Sequence, residues 1–227
     1  MDTMGEAAFT ERLLALAGEL GVPLSPPQAQ ACYTHFRLML EWNLRLNLTR
    51  ITDANDVLVK HFLDSMVPAS MLPRSGFALD VGTGPGFPGV PIKILHPDLH
   101  MVLLETARKK VSFLKVLLSS LPCDNIWAVQ GRWEEFRLIA HPLAKRRYRL
   151  ITMRAVRLQP EHLEVLAAEV LEPGGVFAWW AGPGAVVKQE ALTPRLRNTG
   201  LVFEGEHAYS LPSTSLDRRL FIWKKVT

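Results

Sequence analysis

The sequence predicts a three-layer α/β protein: a mostly parallel seven-stranded sheet with helices on both faces, preceded by an N-terminal helical cap. From Phe77 onward, short apolar runs alternate with helix-length amphipathic segments, which is the pattern of βαβ units with right-handed crossovers. Before that point the apolar residues recur at helical spacing. We therefore expect a cap over residues 1–72 and an α/β domain over residues 73–227.

Three helices are expected in the cap. Apolar residues spaced four, three and four apart mark one face between Phe9 and Leu20, and Pro23 ends that segment. The second helix follows Ser25 and has two prolines in its first turn, where a missing amide hydrogen is tolerated. Asp53 or Asn55 caps the third helix.

Seven apolar runs in the α/β domain are candidate strands. They are FALDV, MVLLE, NIWAVQ, YRLITM, GVFAWW, LVFEGEHAY and RRLFIW. The segments from Thr106 to Leu121 and from Pro160 to Leu171 fit helices between strands. A short loop containing Pro212 separates the last two runs, so we expect the sheet to end in an antiparallel hairpin.

Composition excludes several classes of protein. A chain of 227 residues that is 48% hydrophobic and 21% charged is neither disordered nor fibrous, and no apolar run approaches the ~20 residues of a membrane helix. The N-terminal segment lacks the basic-then-apolar order of a secretory signal, so we expect a cytoplasmic protein without a membrane partner. Cys32 and Cys123 occur without a CxxC pattern, which indicates reduced thiols and no metal site.

The charge balance does not identify a partner. Lys and Arg number 26 and Asp and Glu 22, a net charge of +4, which is compatible with nucleic acid and with simple solubility. The positive charges gather in three clusters, at residues 108–110, 145–149 and 218–225.

The most informative segment is DVGTGPGFPG, residues 80–89, between a strand and a helix-compatible run. Gly82, Gly84 and Gly86 allow a sharp turn and the close approach of a ligand. In an open α/β sheet, ligands bind beyond the carboxyl ends of the strands at the topological switch point, where this turn is expected to lie.

Three kinds of ligand are weighed for this turn. Val90 and Pro91 stand where a P-loop needs its Lys and Ser or Thr, which disfavours nucleotide hydrolysis. Phe87 stands where a dinucleotide fingerprint needs its third glycine, so an NAD-dependent oxidoreductase becomes the alternative. The remaining pattern, GxGxG preceded by Asp80, is the form used for S-adenosylmethionine, which carries no phosphate.

The next two strands add candidate contacts for an adenosine. Glu105 ends the second strand, and a carboxylate there can accept both ribose hydroxyls. NAD would use the same group, so Glu105 indicates a ligand that contains adenosine but does not distinguish NAD from S-adenosylmethionine. Phe87 distinguishes them, because it stands in place of the third glycine of a dinucleotide fingerprint. Trp133 and Glu134 follow the third strand and could frame an adenine ring.

Seven motifs together resemble a known family. They are NLTRIT (47–52), HFLDS (61–65), DVGTGPGFPGVPIKI (80–94), ETARKKVSFL (105–114), GRWEEF (131–136), MRAV (153–156) and DRRLFIWKK (217–225). In this order they resemble the bacterial 16S ribosomal RNA guanine-N7 methyltransferases, also called glucose-inhibited division protein B. The resemblance implies a Rossmann-like class I methyltransferase that uses S-adenosylmethionine to methylate N7 of a guanine in the 530 loop of 16S rRNA, position 527 in the usual rRNA numbering.

The resemblance also implies site residues. The family's cofactor contacts fall on Gly82, Phe87, Glu105, Thr106, Ala107, Trp133, Glu134 and Arg154. The sequence departs from the family at four positions, none of them in the glycine turn: the family usually has Ala at Trp133, an acid at Arg149, often a Lys at Ala181 and a His at or near Arg219. The implied partner is 16S rRNA or the 30S subunit, and we expect a monomer.

The chemistry of this reaction needs no general base, because guanine N7 carries a lone pair and no proton. The absence of Ser-His-Asp, HExxH and GxSxG patterns agrees, and no catalytic acid or base is assigned. Basic residues should hold RNA phosphates; the candidates are Arg108, Lys109, Lys110, Arg218 and Arg219. A non-catalytic RNA-binding protein with a vestigial cofactor pocket is a further alternative.

Overall fold

The computed structural model describes residues 4–156, 158–182, 196, 199–212 and 218–226. Its N-terminal helices are Glu6–Glu19 (α1), Pro26–Leu46 (α2), Ala54–Val57 (α3), the π-helical stretch Leu58–Leu63, Asp64–Met66 (α4) and the 3-10 turn Val67–Met71. The remaining elements are Gly76–Val81 (β1), Gly89–Leu95 (α5), Leu99–Glu105 (β2), Arg108–Ser120 (α6), Ile126–Gln130 (β3), Tyr148–Arg154 (β4), Pro160–Val165 (α7), the π-helical stretch Leu166–Val170, Leu171–Ala181 (β5), Leu201–Tyr209 (β6) and Arg218–Lys225 (β7). Two short 3-10 turns, Phe136–Leu138 and Pro142–Lys145, lie between β3 and β4.

The seven strands form one sheet of order β3-β2-β1-β4-β5-β7-β6. The pairs among β1 to β5 are parallel, and β7 runs antiparallel to both β5 and β6. This confirms the mostly parallel sheet and the antiparallel hairpin at its end. The strand order reverses between β1 and β4, so a crevice opens there at the carboxyl ends of the strands.

The boundary between α7 and β5 differs from the expected one. A helix through Leu171 was expected, whereas α7 ends at Val165 and a π-helical stretch leads into β5, which begins at Leu171 rather than at Gly175. Tyr148 pairs with Leu171 and Leu150 with Val176, so the intervening residues of β5 bulge out of the ladder. The pattern of apolar residues in the sequence does not predict such a bulge, because the extra residues have no partner on the neighbouring strand.

Alternation along the strands produces a core on each face of the sheet. On β1, Ala78 packs against the N-terminal helices, α5 and α6, whereas Leu79 packs on the side of α7. Trp179 and Trp180 of β5 divide in the same way between the two faces. The helices therefore cover both faces, which confirms the three-layer architecture.

The N-terminal helices begin where the sequence predicts. The Ser25 amide donates to Gln28 Oε1 at 2.9 Å at the start of α2, and Asp53 Oδ1 accepts from the Asp56 amide at 2.9 Å. Gln28 Nε2 also donates to the Ile94 carbonyl at 2.7 Å, so α2 is bonded to α5 as well as packed on it. The division of the chain at residue 72 stays a prediction, since these helices share the core of one sheet face.

None of the helices in the described ranges is long and apolar enough to cross a membrane.

Candidate active site

The glycine turn after β1 has the conformation that its sequence predicts. Gly82, Gly84 and Gly86 have φ angles of 69°, 59° and 100°, a region that disfavours residues with a Cβ. A Cβ on Gly82 would lie 2.7 Å from Val156 Cγ2, whereas one on Gly84 would meet nothing within 4 Å. Gly82 is thus required by packing, and Gly84 borders open space.

Asp80 holds this turn from beneath. Its side chain is fully buried, Oδ2 accepts from the Gly89 amide at 2.9 Å and Oδ1 accepts from Thr152 Oγ1 at 2.8 Å. Burial raises the pKa of the Asp80 carboxyl, and these hydrogen bonds oppose the rise. Asp80 therefore links β1, β4 and the first turn of α5.

The first amides of α5 are already bonded within the protein. The Gly89 amide is held by Asp80, and the Val90 amide donates to the Gly86 carbonyl at 2.8 Å. A pyrophosphate would need free amides at this helix start. The arrangement therefore disfavours a dinucleotide, as the position of Phe87 in the sequence predicts.

A cavity of about 480 Å³ lies above the turn, within the usual size range for a small-molecule site. It is lined by the glycine turn, by the ends of β2, β3 and β4, and by residues of the N-terminal segment. The cavity thus occupies the crevice at the switch point between β1 and β4.

Glu105 forms the polar wall at the end of β2. Its side chain is buried, Oε2 accepts from the Gly84 amide at 3.0 Å, and Oε1 accepts from the Ala107 amide at 2.9 Å. These bonds fix the plane of the carboxylate, and Thr106 Oγ1 also donates to Oε1 at 3.2 Å. Because each carboxylate oxygen offers about two lone-pair positions, one position remains on Oε2, and one on Oε1 becomes open when the Thr106 hydroxyl turns away. Such a group can accept the two hydroxyls of a ribose.

The other candidate contacts divide between the cavity wall and its surroundings. Gly82, Gly84, Phe87, Glu105, Thr106, Trp133 and Arg154 line the cavity. Gly86, Ala107 and Glu134 are outside the lining set, and the Glu134 side chain is exposed. Trp133 packs on His162 with ring centroids 4.1 Å apart, so its indole forms the wall next to β3. The structure thus brings seven of the ten candidate cofactor contacts to one cavity.

Phe87 is buried in a stack of three rings. His35 lies 4.5 Å from it on one face and His61 lies 4.6 Å from it on the other, with interplanar angles of 13° and 17°. His35 Nε2 is also 2.7 Å from the Pro85 carbonyl oxygen, so α2 contacts the glycine turn directly. Burial lowers the pKa of His35 to about 4, and both histidines are neutral near pH 7 because burial lowers the pKa of His61 as well.

Arg154, at the end of β4, is held by the N-terminal segment. Its Nη1 lies 3.0 Å from Asp64 Oδ2 and donates to the Lys60 carbonyl at 3.3 Å. Both side chains of the ion pair are mostly buried, at 13% and 5% exposure. The guanidinium also lies 5.3 Å from the centre of the Phe87 ring. Arg154 thus lines the cavity and is fixed in place.

Asp64 gathers further groups around this ion pair. Tyr209 Oη donates to Asp64 Oδ1 at 2.8 Å, and Arg218 Nε lies 3.5 Å from the same oxygen. Trp180 Nε1 donates to the Asp64 carbonyl at 2.8 Å. The candidate RNA contact Arg218 is therefore engaged with Asp64, beside the cavity rather than in its lining.

The remaining basic candidates differ in position. Lys110 lines the cavity, and Arg108 and Lys109 are exposed beside it in the first turn of α6. None of the three forms an ion pair with a described residue. Arg219 Nη1 lies 3.1 Å from Glu206 Oε1 on the last strand pair.

Two other positions that depart from the family pattern are not among the residues that line the cavity. Arg149 Nη1 is 3.8 Å from Glu172 Oε1, and Ala181 pairs with Arg219 across β5 and β7. Sequence reasoning missed the site residues of the N-terminal segment. Leu48, Thr49 and His61 line the cavity. The signal for them was the motif pair NLTRIT and HFLDS, whose spacing alone assigns no place in the fold.

The sheet order, the glycine turn after β1 and the buried carboxylate after β2 define a class I methyltransferase fold. Solved structures agree on the fold: the Methanococcus jannaschii fibrillarin pre-rRNA processing protein has a TM-score of 0.53 at 16% identity and covers 68% of each chain. P. horikoshii TYW2 in complex with MeSAdo has a TM-score of 0.52 at 12% identity, over 72% of this chain and 62% of that one.

Residues 28–215 match the family model GidB, rRNA small subunit methyltransferase G, and the chain belongs to this family of rRNA methyltransferases. A relative named ribosomal RNA small subunit methyltransferase G 1, from Syntrophobacter fumaroxidans, is 48% identical over 97% of this chain and 99% of its own. A relative named ribosomal RNA small subunit methyltransferase G, from Lysinibacillus sphaericus, is 35% identical over 98% of this chain and 92% of its own.

Proposed function

We propose that the protein transfers a methyl group from S-adenosylmethionine to N7 of a guanine in the 530 loop of 16S rRNA. The observation that carries the cofactor assignment is the Glu105 carboxylate, fixed by the Gly84 amide at 3.0 Å on the wall of a cavity of about 480 Å³. The substrate assignment is supported by membership in a family of small-subunit rRNA methyltransferases.

The residues present fit this cofactor. Glu105 would accept the ribose hydroxyls, Trp133 would cover one face of the adenine, and the open space over Gly84 would take the bulk of the ligand. The helix start of α5 offers no free amide at Gly89 or Val90, which suits a ligand without phosphate. When bound, S-adenosylmethionine supplies an electrophilic methyl group attached to a sulfonium.

Placement is the main contribution of the protein to such a transfer. Guanine N7 presents a lone pair and carries no proton, so the site needs no general base. The histidine at the cavity, His61, agrees with this: it is buried between Phe87 and Thr49 and hydrogen-bonded rather than free to exchange protons with a ligand. Holding the base in line with the methyl group can account for ~7 to 11 kcal/mol of the barrier.

The RNA would approach from the side of α6. Lys110 at the cavity wall and the exposed Arg108 and Lys109 beside it are cations without an ion-pair partner among the described residues. They can bind phosphates next to a nucleotide that is turned out of its stack, as readers of RNA loops require. We propose that the protein acts as a monomer in the cytoplasm on the rRNA or the 30S subunit.

The direct test uses small subunits from a strain that lacks the modification. Purified protein and S-adenosylmethionine labelled in the methyl group should transfer label to 16S rRNA, and mass mapping should place it on N7 of one guanine in the 530 loop. Label on another base or atom would contradict the substrate assignment. Binding of the rRNA without transfer would favour a non-catalytic RNA-binding protein.

A thermal-shift measurement separates the two cofactor classes. S-adenosylmethionine should raise the melting temperature, and NAD or NADP should not, because a ligand stabilises the protein that binds it in its folded state. A shift with the nicotinamide cofactors alone would favour an oxidoreductase.

A further inference from the structure

Four polar side chains form a connected row at the β4 end of the cavity. Asp64 Oδ2 is 3.0 Å from Arg154 Nη1, Arg154 Nη2 is 3.3 Å from His61 Nδ1, and His61 Nε2 is 3.0 Å from Thr49 Oγ1. The last three of these residues line the cavity. Asp64 is the buried anchor of the row, with 5% of its side chain exposed.

The row has a defined direction of hydrogen bonding. A guanidinium can only donate, so the contact of 3.3 Å between Arg154 Nη2 and His61 Nδ1 assigns Nδ1 as the acceptor. His61 is neutral near pH 7, since burial and the charge of Arg154 lower its pKa well below the usual value. A neutral imidazole carries one hydrogen, which is therefore assigned to Nε2 and donated to Thr49 Oγ1.

With this direction of hydrogen bonding, the Thr49 hydroxyl can form only one more hydrogen bond, as a donor. Its Oγ1 accepts from His61 Nε2 at 3.0 Å and from the Ile51 amide at 3.1 Å, which uses both acceptor positions of the hydroxyl. The Thr49 amide donates to Asn43 Oδ1 at 2.9 Å, and the hydroxyl makes no other hydrogen bond within the described part of the chain. Its hydroxyl can therefore only donate to a ligand in the cavity that it lines.

Thr49 also lies on the side of the cavity expected for the methyl acceptor. Glu105 ends β2 and Arg154 ends β4, with β1 between them, so the two ends of the site are about 10 Å apart at the usual spacing of strands. With its ribose at Glu105, the cofactor would extend into the open space over Gly84. The accepting base would then take the opposite end of the cavity, which Thr49, His61 and Arg154 line.

We infer that Thr49 determines base specificity by donating its hydroxyl hydrogen to O6 of the target guanine, with Asp64, Arg154 and His61 as positioning residues. This rests on the proposed function. Guanine presents two neighbouring acceptors, N7 and O6, on the edge that is methylated, whereas adenine presents an amino donor next to N7. A hydroxyl that can only donate forms a hydrogen bond with O6 of guanine. Opposite adenine, the same hydroxyl would face the amino group, which is also a donor.

The test varies the target base in reconstituted small subunits whose 16S rRNA contains a ligated synthetic segment. Guanine and inosine keep O6, 2-aminopurine lacks it, and adenine carries an amine in its place. Wild-type protein should methylate guanine and inosine at similar kcat/KM, and 2-aminopurine about tenfold to a hundredfold more slowly, the usual effect of one unmade polar contact. Adenine should be the poorest substrate.

Thr49→Val keeps the shape of the side chain and removes the hydroxyl. It should lower kcat/KM for guanine and inosine to the value for 2-aminopurine, leave 2-aminopurine unchanged, and leave the affinity for S-adenosylmethionine unchanged. Thr49→Ser should retain the preference for O6. Thr34→Val is the matched control and should behave as wild type, because this half-buried threonine of α2 lies outside the cavity lining and its hydroxyl bonds only within its own helix.

Three results would overturn the inference in distinguishable ways. If Thr49→Val keeps the preference for guanine over 2-aminopurine, the hydroxyl does not contact O6. If it weakens cofactor binding equally with every base, Thr49 belongs to the cofactor site. If wild-type protein methylates no guanine at N7, the proposed function itself fails.

Discussion

The carboxylate of Glu105 and the backbone amide of Gly84 are joined by a hydrogen bond of 3.0 Å that ties the end of β2 to the turn after β1. The two residues are 21 positions apart in the chain, and the strands β1 and β2 that lead to them are neighbours in the sheet. The bond orients the carboxylate toward the cavity and closes one side of the glycine turn. Substitutions at either residue therefore test the cofactor site.

Glu105→Ala should weaken binding of S-adenosylmethionine by about 3 to 6 kcal/mol, because it removes the acceptor of two ribose hydroxyls and hydrogen bonds to a charged acceptor contribute about 1.5 to 3 kcal/mol each. Isothermal calorimetry measures this. Glu11→Ala, an exposed change on α1, is the matched control. An unchanged affinity in the Glu105 variant would contradict the ribose assignment.

Gly84→Asp should abolish cofactor binding and destabilise the fold only by the strain of its φ of 59°, about 1 to 2 kcal/mol. The new side chain would enter open space above the turn, where a Cβ meets nothing within 4 Å, and its charge would face Glu105. Gly82→Ala should destabilise the fold more, by about 1 to 2 kcal/mol from its φ of 69° alone, with further strain from Val156. Urea unfolding and calorimetry separate the two effects, and equal losses of stability would contradict this division.

Lys109→Ala combined with Lys110→Ala should weaken binding to rRNA and reduce the salt dependence of that binding by about one unit of slope for each lost phosphate contact. The affinity for S-adenosylmethionine should stay within a factor of about two, since neither lysine is needed to hold the ribose. Lys115→Ala, farther along α6, is the matched control. A salt slope equal to that of wild type would show that the RNA binds elsewhere.

His35 should make the protein less stable in acid. Burial lowers its pKa from 6.5 to about 4, so the folded state resists protonation and the unfolded state does not. The stabilisation is complete above pH 6.5 and is lost as the pH falls toward 4, a change on the order of 3 kcal/mol. Urea unfolding across this range measures the slope.

His35→Phe keeps a ring against Phe87 and removes the titrating group. The slope between pH 6.5 and 4 should become shallower, although the lowered pKa values of His61, His96 and His162 preserve part of it. For each protein, the free energy of unfolding is compared with its own value at pH 7.5, so that a loss of stability that is the same at every pH does not affect the slope. A slope as steep as that of wild type would contradict this assignment.

Much of the site could be predicted because it is local in sequence. The turn at Gly82, Gly84 and Gly86 follows directly from β1, and Glu105 ends β2, so strand prediction alone places them at one edge of a parallel sheet. Glu134 shows the limit of such reasoning. It also follows a strand, yet its side chain is exposed and does not line the cavity, whereas the side chain of the adjacent Trp133 does.

The amino-acid sequence by itself determined the α/β class, the glycine turn, the absence of a phosphate-binding helix start and the acid at the end of β2, because apolar periodicity and strand-end positions act over short stretches of chain. Tertiary structure decided how the N-terminal segment enters the site. Asp64 meets Arg154 across 90 positions and Tyr209 across 145, and Thr49 reaches the cavity through His61. Contacts over such separations depend on how helices dock on a finished sheet, and no local pattern records that docking.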